Sequence, residues 1–123
     1  MRLFALISFL LVASTASAHQ WQAKDPGKSI SNGTLTISHV GGHYKIAFPA
    51  RAAPRSASLT VDGKALYAND PYGFSGQQGD TAIHALLAAK AADARYDDRQ
   101  KTKPVKTAID LQSLQQQLAT IAP

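Results

Sequence analysis

The sequence has 123 residues, in which 13 Lys and Arg face 8 acidic residues, and it contains no cysteine. A chain of this length supports one small domain, which excludes a large or multidomain enzyme. The lack of cysteine excludes a disulfide-stapled miniprotein, a thiol enzyme and a thiolate metal site.

The N-terminus has the form of an export signal. Arg2 supplies a positive start, residues 3–12 form an apolar run, and a small-residue Ala-Ser-Ala sequence ends at Ala18. The run is about half as long as the ~20 residues that a membrane-spanning helix needs, which favours a cleaved signal over an anchor. We therefore predict a signal peptide over residues 1–18. The mature chain is then periplasmic or secreted, starts at His19 and has no transmembrane segment.

The mature chain of 105 residues carries 12 basic side chains, 8 acidic side chains and 19 residues of the types Leu, Ile, Val and Phe. That apolar share is close to the roughly 20% below which disorder is expected, but the net charge is too low for a disordered chain. Residues 19–33 are polar and are predicted to be an extended N-terminal segment. Trp21, the one tryptophan, is predicted to plug the core or to begin an edge strand, with an exposed recognition aromatic as the alternative. Residues 34–123 are predicted to form a single antiparallel β-rich domain.

The clearest local pattern is TLTISHV-GG-HYKIAFP, in which two alternating runs flank Gly41-Gly42. Two glycines supply the positive φ angles that a two-residue hairpin turn requires. In this register Ile37 pairs with Ile46 and His39 with Tyr44, so the apolar residues share one face. The pattern and the turn agree on one register, which predicts a β-hairpin.

Two further hairpins are predicted downstream. Asp62-Gly63 is a favoured tight-turn pair and would place Leu59 opposite Leu66. Residues 92–109 alternate on both sides of the charged sequence DDRQKTK, which predicts a third hairpin. We interpret Asp97-Asp98 within it as a solvated turn.

Two aspartates are predicted to begin helices. Asp80 precedes the Ala/Leu-rich residues 81–91, and Asp110 precedes residues 111–122, whose leucines form one stripe. The order hairpin, hairpin, helix, strands, helix predicts a β-rich fold (all-β or α+β). A small antiparallel β-sandwich or sheet would carry two short helices.

The C-terminal part of the chain resembles the invasion-associated locus B family. The resemblance spans residues 57–121 and rests on LTVDGKALYA, on the short helix DTAIHALLAAK with its basic end at Lys90, and on DLQSLQQQLATI. Trp21 near the mature start is similar to the opening strand of that family. The resemblance implies an exported, non-enzymatic accessory protein with a β-sandwich core and host-interaction associations. Many members carry cysteines, and this chain departs from them in having none.

The residues themselves also favour a protein that is not an enzyme. The sequence has no Gly-x-Ser-x-Gly elbow and no glutamate, so the pair Asp97-Asp98 is the main candidate for paired carboxylates. The glycines at 73, 76 and 79 precede a helix, but the lysine of a phosphate-binding loop is missing. We therefore predict no catalytic residue and no cofactor.

A metal site would have to use the histidines, with or without aspartate. The hairpin register places His39 and His43 on opposite faces, which argues against a shared metal ion. His19, as the mature N-terminal residue, could chelate copper through its amino group and its ring. A small periplasmic copper-binding protein is therefore the alternative function. Cleavage after Ala16 instead of Ala18 would remove its basis.

Two segments are predicted to bind a partner. The loop 69–80 offers Tyr72 and Phe74 as contact aromatics, with a core plug as the alternative role of Phe74. The basic run around Lys101 and Lys103 would meet an anionic partner, with a solvated hairpin tip as the alternative. No nucleic-acid-binding signature accompanies it. These features predict an exported binding or accessory protein with a protein or an anionic envelope component as partner. A secreted inhibitor that inserts the loop into an enzyme is the further alternative.

Overall fold

The computed structural model describes residues 19–101 and 103–121, which form a β-rich fold with nine strands and two short helices. This confirms the predicted fold class. Within these residues, no helix has the length and apolar character that crossing a membrane requires. The helices are α1 (Gly76–Leu87) and α2 (Leu111–Leu118), and the strands are β1 (Gln22–Asp25), β2 (Ser29–Ser31), β3 (Thr36–Val40), β4 (His43–Ala47), β5 (Ser58–Val61), β6 (Lys64–Tyr67), β7 (Gly73–Phe74), β8 (Ala92–Asp98) and β9 (Lys103–Ala108).

The strands form two antiparallel sheets. One sheet has the order β1-β2-β3-β4-β7 and the other the order β6-β5-β8-β9. Both sheets and both helices contribute to one core, which includes Ile37, Leu59, Ile83 and Leu114, all fully buried. The apolar faces that the alternation predicts therefore close against each other as a small sandwich.

The two tight hairpins have the predicted registers. Ile37 pairs with Ile46 in β3–β4, and Leu59 pairs with Leu66 in β5–β6. Both glycines of the first turn have positive φ angles, 61° and 84°. Turn chemistry and hydrophobic alternation specify the same pairing in each case, which is why the register could be read from the sequence.

The residues predicted to be an extended N-terminal segment belong to the first sheet. β1 pairs with β2, and β2 pairs with β3 through Ile30 and Ile37. Trp21 is 2% exposed, and its backbone N–H donates to Ser113 Oγ at 2.9 Å, which ties the chain to α2. Trp21 is therefore a core residue beside an edge strand and not an exposed recognition aromatic. The segment is polar because all four residues of β1 are exposed.

The third hairpin is confirmed as β8–β9, but the interpretation of Asp97-Asp98 as a solvated turn is wrong. Both residues lie in β8, and Asp98 is 1% exposed. Its carboxylate accepts hydrogen bonds from the backbone N–H groups of Gln100 and Lys101 at 2.9 and 3.2 Å. Arg51 Nε lies 3.1 Å from its other oxygen. Strand alternation turns one aspartate of the pair inward, where these partners compensate its burial.

One of the two predicted helix starts is confirmed and the other is wrong. The Asp110 carboxylate accepts hydrogen bonds from two backbone N–H groups of the first turn of α2, both at 3.2 Å. α1 instead begins at Gly76, so Asp80 lies inside the helix, and the helix ends at Leu87. The predicted loop 69–80 therefore contains β7 and the first turn of α1.

Candidate binding surface

The segment that joins β4 to β5, residues 49–56, lies between the two regions predicted to bind a partner; we call it the connecting segment. On one side, the Arg55 N–H donates to the carbonyl oxygen of Pro71 at 2.8 Å. The neighbouring Phe48 N–H donates to the carbonyl oxygen of Tyr72 at 2.9 Å. These bonds hold the loop before β7 against the start and the end of the connecting segment.

On its other side, the connecting segment is bonded to the end of β8. The Ala53 N–H donates to the carbonyl oxygen of Asp97 at 2.7 Å, and the Asp97 N–H donates to Ser56 Oγ at 3.0 Å. The Arg99 N–H donates to the carbonyl oxygen of Arg51 at 2.9 Å. The turn between β8 and β9 therefore borders the same segment as the loop that carries Tyr72.

Six exposed side chains lie in the connecting segment or in the two segments next to it, the loop before β7 and the β8–β9 turn with the first residue of β9, and we call them the basic surface. Five of them are cationic and one is aromatic. The members are Arg51, Arg55, Tyr72, Arg99, Lys101 and Lys103. Two segments that the sequence treated separately thus become parts of one surface.

Asp98 is the buried anchor beneath the basic surface. Burial acts to raise the pKa of its carboxyl group. The backbone hydrogen bonds from Gln100 and Lys101 and the positive charges of Arg51 and Lys101 outweigh that effect and hold the pKa below its ordinary value. The carboxylate therefore stays ionised at neutral pH and fixes both the β8–β9 turn and one arginine of the surface.

The arginines of the basic surface differ in how they are held. The Arg51 side chain is 56% exposed although its Nε pairs with Asp98. Arg99 Nη2 donates to the carbonyl oxygen of Ala50 at 2.9 Å. Arg55 has a positive φ of 68° and takes part in no ion pair among the described residues. Part of the positive charge is therefore positioned by the fold, and part of it is unpaired.

The predicted contact aromatics are separated by the fold. Tyr72 is 47% exposed, and its backbone N–H donates to Asp70 Oδ1 at 2.9 Å. Phe74 is 2% exposed and lies near Phe48, with 6.4 Å between the ring centroids. Phe74 is thus a core residue, as in the alternative stated for it, and only Tyr72 of the pair can meet a partner.

The sequence predicted the basic run and Tyr72 as contacts but assigned no binding role to Arg51 and Arg55, which lie between them. Arg51 and Arg55 stand in a proline-punctuated connection that carries no motif. The signal in the sequence is composition alone, since two arginines stand in one short segment. The position of that segment follows from long-range backbone hydrogen bonds, which the sequence does not show. Lys101 and Lys103 are exposed at the β8–β9 turn and the start of β9, where the sequence predicted a basic tip.

The histidines do not form a metal cluster. The His39 ring lies against the Tyr44 ring, with 4.2 Å between the centroids and 60° between the ring planes, whereas His43 Nδ1 lies 2.6 Å from Asp80 Oδ2. Across residues 19–101 and 103–121, no three His or Asp side chains lie close enough to hold one metal ion. The copper alternative therefore depends on the exposed His19 and its amino group.

A second polar surface lies at the β1–β2 turn. A groove of about 700 Å³ is lined there by residues that include Lys24, Asp25, Lys28 and Ser38. It also carries two lysines, but the aspartate between them offsets part of their charge. Its two lysines allow a control substitution that changes the net charge by the same amount as a substitution of two lysines in the basic surface.

No protein-family model, no curated protein and no solved structure matches this chain. The resemblance to the invasion-associated locus B family therefore stays a prediction from the residues that carry it. The case for a function rests on the chemistry of the surfaces described above.

Proposed function

We propose that this protein is an exported, non-catalytic binding or accessory protein whose basic surface engages an anionic component of a cell envelope. The observation that supports this most strongly is the connecting segment. Its backbone hydrogen bonds reach the loop on one side and the β8–β9 turn on the other. Five cationic side chains and Tyr72 therefore border one short segment.

The charge balance of the basic surface favours an anionic partner. Asp98 is buried and paired with Arg51, so most of its negative charge is neutralised inside the protein. Asp97, which is exposed, and Asp70, which accepts the Tyr72 N–H, are the other aspartates of these segments, so five cations face three aspartates. An excess of like charge on one surface raises the local concentration of oppositely charged ligands and speeds their association.

The backbone of the basic surface is held before any partner arrives. Asp98 closes the β8–β9 turn, and the connecting segment is bonded on both sides. A surface that is ordered in the free protein loses less conformational entropy on binding, so its contacts contribute more to affinity. Tyr72 adds an amphipathic ring that can contact both apolar and polar groups.

The proposal is tested by binding of the secreted chain to immobilised heparin and to lipopolysaccharide. The double variant Lys101→Glu and Lys103→Glu is expected to elute at lower salt. Each lysine near an anionic surface contributes about 1 kcal/mol, so losing two weakens binding by about 2 kcal/mol, or roughly 30-fold, and repulsion by the two added carboxylates weakens it further. Tyr72→Ala is expected to weaken binding less than the double variant does.

The matched control is the double variant Lys24→Glu and Lys28→Glu in the groove at the β1–β2 turn. It changes the net charge of the chain by the same amount but leaves the basic surface intact. Equal losses in the two double variants would mean that overall charge, and not the basic surface, is responsible, and would overturn the proposal. Retention that does not depend on salt would overturn it as well.

A further inference from the structure

The strand β6 leaves an open edge on the four-stranded sheet. Among the described residues, it stands at one end of the strand order and pairs with β5 alone. Lys64, Ala65 and Tyr67 are exposed, and the exposed fraction of Tyr67, 77%, is large for an aromatic side chain. An unpaired strand edge offers backbone donors and acceptors to another strand.

The outward-facing backbone groups of β6 can be identified. In an antiparallel pair, every second residue bonds to the partner strand and the residues between them point away. The Ala68 N–H donates to the carbonyl oxygen of Ala57 at 3.2 Å, so residue 68 faces β5, and residues 64 and 66 face it as well. The N–H and C=O groups of Ala65 and Tyr67 therefore point out of the sheet.

The other three sheet edges are protected against such pairing. β1 carries an irregularity in its register between Ala23 and Asp25, and β7 has two residues. β9 contains Pro104, which has no N–H, flanked by the exposed Lys103. Bulges, two-residue strands and proline block edge pairing, and β6 has none of these: it has four residues, and its register with β5 is regular.

We propose that β6 pairs with β6 of a second copy of this chain, antiparallel, about a two-fold axis at Leu66. This register places Ala65 opposite Tyr67 of the second copy and Tyr67 opposite its Ala65. Each of these two pairs exchanges two N–H···O=C hydrogen bonds, so all the outward backbone groups of Ala65 and Tyr67 are used. The two four-stranded sheets then join into one continuous sheet.

The side chains of β6 fit this register and so favour a second copy over an unrelated strand. A large ring, Tyr67, lies opposite a small side chain, Ala65, and Leu66 meets its own equivalent at the axis. Lys64 faces Ala68, so no like charges oppose each other. The register keeps the core side of one sheet continuous with the core side of the other, as an antiparallel pair requires.

The absence of cysteine makes the register directly testable. Leu66 and its equivalent form a pair without hydrogen bonds between them, in which Cα atoms are about 4.5 Å apart, within the range that a disulfide spans. The variant Leu66→Cys is expected to give a disulfide-linked dimer under mild oxidation. Thr107→Cys, on the edge strand β9, is the matched control and is expected to form no disulfide-linked dimer. Equal crosslinking of the two variants would overturn the proposal.

Sedimentation velocity tests the association without a cysteine. The mature chain is expected to show a dimer fraction that rises with protein concentration. Tyr67→Lys is expected to raise the dimer dissociation constant roughly tenfold, because two symmetric cross-strand contacts are lost. Val40→Lys, which adds the same charge at another exposed apolar residue, is expected to leave it unchanged.

Ala65→Pro removes one outward N–H without touching the bonds to β5, and it is expected to weaken the dimer as well. Moderate salt is expected to strengthen the dimer by screening the repulsion between two positive chains, whereas it weakens anion binding at the basic surface. A wild-type chain that stays monomeric at every concentration would overturn the proposal, as would equal association of Tyr67→Lys and Val40→Lys.

Discussion

Two aspartates, Asp80 and Asp110, each precede an apolar helical pattern in the sequence, but they have different roles in the structure. Asp110 caps α2 with two hydrogen bonds to backbone N–H groups of the first turn. Asp80 lies inside α1, where its Oδ1 accepts a hydrogen bond from the Tyr44 N–H at 2.8 Å and its Oδ2 lies 2.6 Å from His43 Nδ1. Asp110 accepts hydrogen bonds from the free N–H groups of its own helix, whereas Asp80 accepts one from a strand that is distant in the sequence.

The difference follows from the length of β7. β7 pairs with β4 only at Ile46 and Ala47, so the backbone of Tyr44 has no strand partner on that side. α1 covers this part of the edge: Asp80 takes the free N–H, and Gly79 lies against the carbonyl oxygen of Tyr44. An aspartate before an apolar helical stripe therefore predicts a cap only when no other donor competes for it.

The largest expected effect comes from the helix–strand contact at Gly79. In a free helix, Gly→Ala is favourable by about 1 kcal/mol. Here the added Cβ would lie 1.9 Å from the Tyr44 carbonyl oxygen, a backbone atom that cannot rotate away. Overpacking of this kind costs about 1–3 kcal/mol and sometimes more, so Gly79→Ala is expected to lose about 2 kcal/mol in urea unfolding. Gln78→Ala, on an exposed position of the same helix, is the control; equal stability of the two variants would show that α1 does not lie against β4.

The second effect concerns the cap of α2. Asp110→Ala removes both hydrogen bonds to the first turn and is expected to lower the free energy of unfolding by about 1 kcal/mol. The loosened first turn of α2 should also affect the packing of Trp21, because Ser113 in that turn accepts the hydrogen bond from the Trp21 N–H. Tryptophan fluorescence is therefore expected to report the change. An unchanged midpoint, with Gln112→Ala as the reference, would contradict the capping role.

The smallest expected effect is the pH dependence of stability that the ionised Asp80 causes. The hydrogen bond with His43, followed by the bond from the Tyr44 N–H, lowers the pKa of Asp80 below its ordinary value of 3.8. A lowered folded-state pKa stabilises the protein above the unfolded value and loses that stabilisation as pH falls through the folded one. Asp80→Asn is therefore expected to be less stable than the wild type at neutral pH.

That stability difference is expected to shrink below about pH 4 as the wild-type carboxylate takes up its proton. Urea unfolding as a function of pH measures it. Asp25→Asn, at an exposed residue with no ion pair in the described part of the chain, is the control. A difference between Asp80→Asn and the wild type that stays constant down to pH 2 would contradict the role of the ionised Asp80.

The hairpins were predictable because their information is local. Gly41-Gly42 and Asp62-Gly63 select tight turns, and alternation on each side leaves one register that buries the apolar set. For β1 the sequence predicted an extended segment and, as one of two roles of Trp21, the start of an edge strand, but no pairing, since an edge strand whose residues are all exposed has no alternation to detect. β7 was missed because two residues are too few to form a pattern.

The sequence predicted the separate segments of the candidate binding surface but not that they adjoin in the fold. The basic run and Tyr72 follow from composition and from the position of a loop. Their junction depends on contacts such as the Asp97 N–H to Ser56 Oγ, which spans 41 positions in the chain. A hydrogen bond between backbone and a distant hydroxyl leaves no periodicity, so its existence follows only from how the two sheets pack.

The sequence by itself determined the β-rich class, the registers of the tight hairpins and the cap at Asp110, because turn residues, alternation and capping act over a few positions. The tertiary structure decided that the Asp98 side chain points inward, that Phe74 is buried, that Asp80 bonds to β4 and that the parts of the basic surface adjoin. Each of these depends on which donor, acceptor or apolar neighbour the fold brings from far along the chain. Every buried polar group needs a hydrogen-bond partner, and that partner can come from any part of the chain, so the local sequence could not predict these outcomes.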